Sequence, residues 1–258
     1  MRTRVIPLVL LVATAALVPA AVAIVNGVPD GSAHPYVGIA VSGDTFCSGT
    51  LISPTVFVTA GHCTAAFSAS GEQTFVTFDP DAGPDSVSVT GTPHTMPGFF
   101  DIPPQGVGVP GSVGNDVGVV VLDEPVSLPA YGLLPAEGVL DSRAARAVSY
   151  TLVGYGAQGW VAGGGGRFPI FTFERTRAGS ALVNTANVYA DEFARFSTNP
   201  GGGKGGIGPG DSGGPAFMDD GRTIAAIGSH GPSRFGSGEG YFTRLDTESA
   251  LTFLSQFG

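Results

Sequence analysis

Three short stretches of the chain hold residue types that together can break an acyl bond. FCSGTLISPTVFVTAGHC (46–63) carries His62, GNDVGVVVL (114–122) carries Asp116, and GPGDSGGPAF (208–217) carries Ser212. A serine hydroxyl is a weak nucleophile at neutral pH. It needs a base within hydrogen-bond reach, and the base needs a third group that fixes its tautomer. Histidine suits the role of base because its unperturbed pKa lies near the working range. The acids between His62 and Ser212 include Asp79, Asp81, Asp85, Asp101 and Asp123, but only Asp116 opens an apolar strand pattern, D-V-G-V-V-V-L. A carboxylate at such a strand start is buried and so forced to pair. Gly213 and Gly214 follow Ser212 and let the backbone turn tightly with no side chain crowding the point of attack.

Residues this far apart in sequence must be brought together by a rigid frame. Apolar residues make up 43% of the chain and arrive in short runs, which argues for packed structure despite 41 Gly and 20 Pro. The runs YVGIAV (36–41), TLISPTVFVTA (50–60), DVGVVVL (116–122), AVSYTLVGYG (147–156) and RTIAAIGS (222–229) are rich in Val, Ile, Thr and aromatics. Gly, Pro, Asp and Ser turns separate them, the pattern of an all-β sandwich or barrel. Helical periodicity is confined to DTESALTFLSQF (246–257), where Asp246 or Thr247 caps and Ala250, Leu254 and Phe257 share a face. Stretches 77–86, 97–114, 159–168 and 199–210 read as Gly/Pro-dense loops. Within the first of these, Asp79–Asp85 reads as an acidic turn rather than a calcium loop, since the bidentate Glu of an EF-hand is missing. A soft boundary falls near 124–135, with strands on both sides.

The first 23 residues read as a signal peptide. Arg2 and Arg4 form a positive n-region, Val5 to Val18 an apolar run, and Ala21-Val22-Ala23 a small-x-small cleavage pattern. The expected localisation is therefore secreted. Removing residues 1–23 takes away Arg2 and Arg4 but none of the 21 Asp and Glu, so the remainder is more acidic than the formal −9 of the whole chain. Such a chain offers no electrostatic footprint to nucleic acid or to an anionic membrane. Cys47 and Cys63 are the only cysteines. An even pair in an exported protein predicts one disulfide, and two cysteines make a poor zinc site.

Together the three motifs, in the chain order His, Asp, Ser, resemble the chymotrypsin/trypsin family of serine proteases. The resemblance runs from Ile24 to the C-terminal helix. It implies two antiparallel six-stranded β-barrels, at about 24–130 and about 131–245, with a C-terminal helix at 246–257 and the active site between the barrels. It implies a catalytic set of His62, Asp116 and Ser212, and an oxyanion hole built from the backbone N–H groups of Gly210 and Ser212. Gly206, Ser229, Gly231 and Gly240 match positions of the specificity pocket, which would be open and uncharged and favour a large apolar side chain. Gly208 stands where relatives carry a cysteine. Of the other histidines, His34 and His94 read as surface residues. His230 falls where relatives carry an aromatic residue beside the substrate, and reads as a rim residue.

IVNGVPDGSAHPYVGIAV (24–41) resembles the family's mature start. There a freed Ile α-ammonium inserts into the second barrel and pairs with the acid before the nucleophile, here Asp211. Relatives held as zymogens are cut after Arg or Lys, but Ala23 precedes Ile24 here. Signal cleavage itself is therefore expected to expose Ile24. The resulting expectation is a monomeric endopeptidase without metal or cofactor, acting on protein or peptide substrates. A catalytically silent binding relative and an esterase on the same scaffold are the alternatives.

Overall fold

A computed structural model describes residues 24–102, 112–185, 192–231 and 238–258. The expected signal segment 1–23 lies outside the described residues, as do 103–111 of the expected loop 97–114. Among the described residues no helix is long and apolar enough to cross a membrane.

The described chain opens with a two-residue strand, β1 (Val28–Pro29). Strands β2 (Val37–Ser42), β3 (Thr45–Ser53), β4 (Val56–Thr59), β5 (Thr74–Thr77) and β6 (Ser88–Thr95) follow. A short ribbon, β7 (Phe100–Ile102) with β8 (Ser112–Gly114), precedes β9 (Gly118–Leu122). Six of these strands close into an antiparallel barrel in the order β2-β3-β4-β9-β6-β5. All four residues of β4 are buried, because one face fills the barrel and the other is covered. Helix α1 (Gly61–Ser70) leaves directly from the end of β4.

The second half holds β10 (Tyr150–Gly154), an outlying ribbon of β11 (Gly159–Gly163) and β12 (Gly166–Ile170), β13 (Thr176–Ser180) and β14 (Leu182–Asn184). It continues with β15 (Phe193–Thr198), β16 (Pro215–Phe217), β17 (Ile224–His230) and β18 (Gly238–Arg244). The sheet order is β1-β13-β10-β16-β17-β18-β15-β14. It has eight strands where six are expected, because β1 and β14 add to the edges. The sheet curls until its ends meet: Ser197 N donates to Ala181 O at 2.9 Å, and Ser180 Oγ donates to Ser197 O at 2.7 Å. The fold is thus the expected pair of β-barrel units with a C-terminal helix.

The crossing segment is stitched to both halves. Gly132 N donates to Leu51 O at 2.9 Å, while Leu133 N donates to Arg222 O at 2.9 Å. At the C-terminus, α2 (Glu248–Leu254) is shorter than the periodicity of 246–257 predicts and ends in a 3-10 turn, Ser255–Phe257. Thr247 caps it, its Oγ1 accepting from Ala250 N at 3.3 Å. Asp246 does other work: it is buried, accepts from Leu140 N at 2.8 Å and pairs with Arg244.

His34 is not the surface residue its Pro-flanked turn predicts. It is buried, stacked on Phe217 with ring centroids 5.2 Å apart, and its Nδ1 lies 2.6 Å from Asp30 Oδ1. Asp30 in turn receives Arg175 Nε at 3.1 Å. Arg175 is itself fully buried and satisfied: Nη1 donates to Val37 O at 3.0 Å, Phe78 O at 2.9 Å and the Tyr155 hydroxyl at 3.1 Å, and Nη2 to Gly31 O at 2.6 Å. The guanidinium therefore fastens the N-terminal segment, the first barrel and the second sheet at one point, a use suited to its rigid fork of donors.

Candidate active site

His62 and Asp116 are held together by one turn of chain. β4 runs into Ala60, which is extended (ψ 150°), and α1 begins at Gly61 with His62 in its first turn. Gly61 is closely packed there, since a Cβ would meet Val117 N at 3.0 Å and Asp116 Cα at 3.1 Å. The helix start thus rests on the segment that carries Asp116. The disulfide Cys47–Cys63 ties β3 to the same turn.

Asp116 is fully buried and receives several donors. Its Oδ1 accepts from His62 N at 2.7 Å, and His62 Nδ1 lies 3.0 Å from Oδ2 and 3.1 Å from Oδ1. Ser229 Oγ donates to Oδ2 at 2.5 Å. Burial alone would push this carboxyl up. The hydrogen bond and charge of the His62 ring, the Ser229 hydroxyl and the His62 amide outweigh it, and the group lies below the usual carboxylate range. The converse holds for His62: burial pushes it down, but Asp116 as partner and charge, aided by Asp101, holds it above its ordinary value. Because an ionised carboxylate only accepts, the proton of neutral His62 sits on Nδ1 and Nε2 is left bare.

Ser212 comes from the second sheet and is half-buried. Its neighbours turn sharply, with Gly210 at φ 89° and Gly213 at φ 77°, a backbone region that favours glycine. Gly213 is pressed against the first barrel: a Cβ there would collide with Thr59 Oγ1 and come within 2.7 Å of Ala60 N. The Ser212 turn therefore abuts the end of β4, three residues before His62. Ser48 holds it from the other side, donating from N at 3.1 Å and from Oγ at 2.9 Å to Gly210 O. Among the described residues the N–H groups of Gly210 and Ser212 have no acceptor, which leaves two donors on one turn for an incoming oxygen.

Asp211 is fully buried beneath this turn. Its Oδ1 accepts from Gly156 N at 2.8 Å and its Oδ2 from Gly208 N at 2.9 Å. Burial pushes its carboxyl up to about 7 against the pull of those two amides. No cation lies within ion-pair distance of it among the described residues. Ile24 is nearby and buried, in the core of the second sheet. Val25 pairs with Gly206, N to O at 2.9 Å and O to N at 3.0 Å, and packs beside Gly208, whose N–H reaches Asp211. The Ile24 nitrogen is in a peptide bond with Ala23 in this chain, so it carries no charge to give Asp211.

The expected pocket residues separate into two groups. Gly206 and Gly240 are buried, and Gly231 is exposed just past the end of β17. The side chain of Ile207 lies between the strands, 3.4 Å from where a Gly240 Cβ would sit and 3.7 Å from that of Gly228. Ser229 is buried, and its hydroxyl donates to Asp116. The roles of Ser229, Ser48 and Ile207 escaped sequence reasoning. The only trace of the first was a serine closing an apolar strand run, RTIAAIGS. Cys47, His62 and Cys63 place potential metal-ligating atoms within 4.8 Å of one another, but the disulfide occupies both sulfurs.

Comparison with known proteins agrees with this fold. No curated protein matches the chain in sequence. Among solved structures, HL collagenase is similar with TM-score 0.68 at 18% identity, over 90% of this chain and 97% of the other. The scabies mite inactivated protease paralogue S-D1 is similar with TM-score 0.62 at 15% identity, over 89% and 95%. At those identities the likeness speaks for the fold. The family model described as Trypsin matches residues 24–250, nearly the whole of the described chain, and the protein accordingly belongs to the trypsin family.

Proposed function

We propose that the protein is a secreted serine endopeptidase that hydrolyses peptide bonds through an acyl-enzyme. One observation carries this reading: buried Asp116 holds both the amide and the ring of His62, while the Ser212 turn with its two unpaired N–H groups abuts the same strand end. With the proton fixed on Nδ1, bare Nε2 of His62 takes the proton of Ser212 Oγ as it attacks the substrate carbonyl. The oxygen of the tetrahedral intermediate is received by Gly210 N–H and Ser212 N–H. Losing one such donor typically costs roughly 2.7–4 kcal/mol of transition-state stabilisation. His62 then gives its proton to the leaving amine. Water, activated by the same ring, hydrolyses the acyl-enzyme ester.

The side chain accepted before the scissile bond is apolar, because Ile207, Gly228 and Gly240 present no charge. The enzyme works as a monomer and needs no cofactor or metal. Its switch is the N-terminus. Signal cleavage after Ala23 frees the Ile24 α-ammonium, which supplies Asp211 with the cation it lacks while the peptide bond is intact. The buried ion pair then fixes the turn that presents Gly210 and Ser212.

The test is covalent labelling by a fluorophosphonate probe, compared with Ser212→Ala, alongside cleavage of peptide and ester substrates. Labelling that Ser212→Ala abolishes, together with peptide cleavage, is expected. No labelling would favour a silent binding relative, and ester without peptide hydrolysis would favour an esterase.

A further inference from the structure

We propose that His230 is a positioning residue of this site: its Nδ1–H donates to Ser229 Oγ and so commits the Ser229 hydroxyl proton to Asp116. The proposal rests on the protease reading of His62, Asp116 and Ser212.

The backbone prepares the arrangement. Along β17 and β18, Gly228 faces Phe242 while His230 faces Tyr241, so Ser229 is an extra residue in the ladder. A bulge of this kind leaves its residue unpaired and re-aims the side chain. Here it turns Ser229 toward Asp116 of the first barrel, and it sets His230 opposite Tyr241. The two rings stack with centroids 4.9 Å apart at 7°, and Phe193 meets His230 edge-on at 5.3 Å and 82°. The imidazole is exposed at the rim, yet two aromatic neighbours fix its plane.

Proton counting then sets the direction of each bond. Ser229 Oγ has one proton and two acceptor sites. It lies 2.5 Å from Asp116 Oδ2 and 3.1 Å from His230 Nδ1. The short contact to an ionised, acceptor-only carboxylate takes the proton, since charge-assisted bonds are the stronger ones. The contact with His230 is then satisfied only if Nδ1 carries a hydrogen and donates it. The other tautomer would put a bare Nδ1 in competition with Asp116 for one hydroxyl proton. The groups that act on the ring are consistent with a neutral imidazole. Burial against its neighbours holds His230 below its ordinary value, His62 acts in the same sense, and Asp116 and Asp101 oppose. The resulting chain runs from His230 through Ser229 and Asp116 to His62. It spreads the carboxylate charge that would otherwise grip the His62 imidazolium more tightly.

Two variants separate the donor from the ring. His230→Phe keeps an aromatic ring against Tyr241 and removes the donor. His230→Asn places an amide N–H near the position of Nδ1. In the purified protein, His230→Phe is expected to slow fluorophosphonate labelling of Ser212 by about three- to tenfold on the acidic limb, the worth of one hydrogen bond, because more of His62 is then protonated. It should also move the acidic limb of the labelling rate to higher pH, while His230→Asn retains both. Independently of activity, 15N spectra of the histidine-labelled Ser212→Ala protein at pH 8 should show His230, assigned by its loss in His230→Asn, as the Nδ1–H tautomer. An Nε2–H tautomer, a His230→Phe variant with the unsubstituted rate and pH profile, or equal impairment of both variants would overturn the proposal. An unsubstituted protein that takes no label would sink the protease reading instead, and the tautomer would still judge the hydrogen-bond chain.

Discussion

Asp211 makes the consequence of one peptide bond measurable. With Ile24 still joined to Ala23, the buried carboxyl is pushed from 3.8 up to about 7. A carboxyl whose folded-state pKa is raised stabilises the fold below its unfolded value, and that contribution is lost as pH rises through the folded value. Three units at 1.36 kcal/mol each amount to about 4 kcal/mol, lost between pH 4 and pH 8. A free Ile24 ammonium would reverse this by pairing with the ionised form. The perturbation is a single residue: compare chains that begin at Ile24 and at Ala23, both carrying Ser212→Ala to prevent self-digestion. Urea unfolding, followed by the fluorescence of the single tryptophan, should give equal stability near pH 4. Toward pH 8 the Ala23 form should fall behind by about 4 kcal/mol, a midpoint shift of roughly 1.3–2 M at a slope of about 2–3 kcal/mol/M. Above the pKa of the paired amine, whose reference value is near 8, the curves should converge again. Parallel curves across the whole range would refute both the ion pair and the idea that signal cleavage switches the protein on.

Four further outcomes follow from the same geometry. Asp116→Asn exposes His62 to the wrong tautomer and should lower kcat about 10⁴-fold, by analogy with the same change in a triad of this kind. In the unsubstituted protein the acidic limb of kcat/KM should have its midpoint above 6.5, because Asp116 holds His62 protonated to higher pH and the base works only when neutral. Ile207→Gly should move the preferred residue before the scissile bond toward larger aromatic side chains in a peptide library, and a library that instead selects Arg or Lys would contradict the uncharged pocket. Arg175→Met takes the buried guanidinium from Asp30 and from the carbonyls of Gly31, Val37 and Phe78, and should cost about 3–5 kcal/mol in urea unfolding, with loss of less than 1 kcal/mol arguing that the cluster is inert.

The proposed reacting groups could be picked out because the chemistry proposed for them demands particular residue types in particular local patterns. Asp116 could be picked from its neighbours by the apolar strand it opens, and that burial is what the fold delivers. The two β-barrel units could be read from short Val- and Ile-rich runs, although edge pairing by β1 and β14 depends on where the sheet ends. The bond from Ser229 to Asp116 was not legible for a specific physical reason. Strand alternation gives a face to each residue, and a one-residue bulge changes the face without leaving a mark in composition. His34 was misread because its partners are remote: the Arg175 that completes its cluster is 145 positions from Asp30, and the Phe217 it stacks on is farther still.

That buried cluster also bears on how little must move for the proposed switch. The segment from Ile24 to Asp30 is already fixed at three places while the Ala23–Ile24 bond is intact. Val25 pairs with Gly206, β1 pairs with β13, and Asp30 is fastened by Arg175. The side chain of Ile24 is already in the core. Ordering a free segment costs roughly 1–2 kcal/mol per residue in backbone entropy, and here that cost is met before cleavage. What cleavage adds is then confined to one charge on the Ile24 nitrogen. The N-terminal dependence of activity should therefore be steep in charge and shallow in length. Acetylating Ile24 should abolish activity as fully as leaving Ala23 attached, and an acetylated protein that retains activity would show that the fixed segment alone is enough.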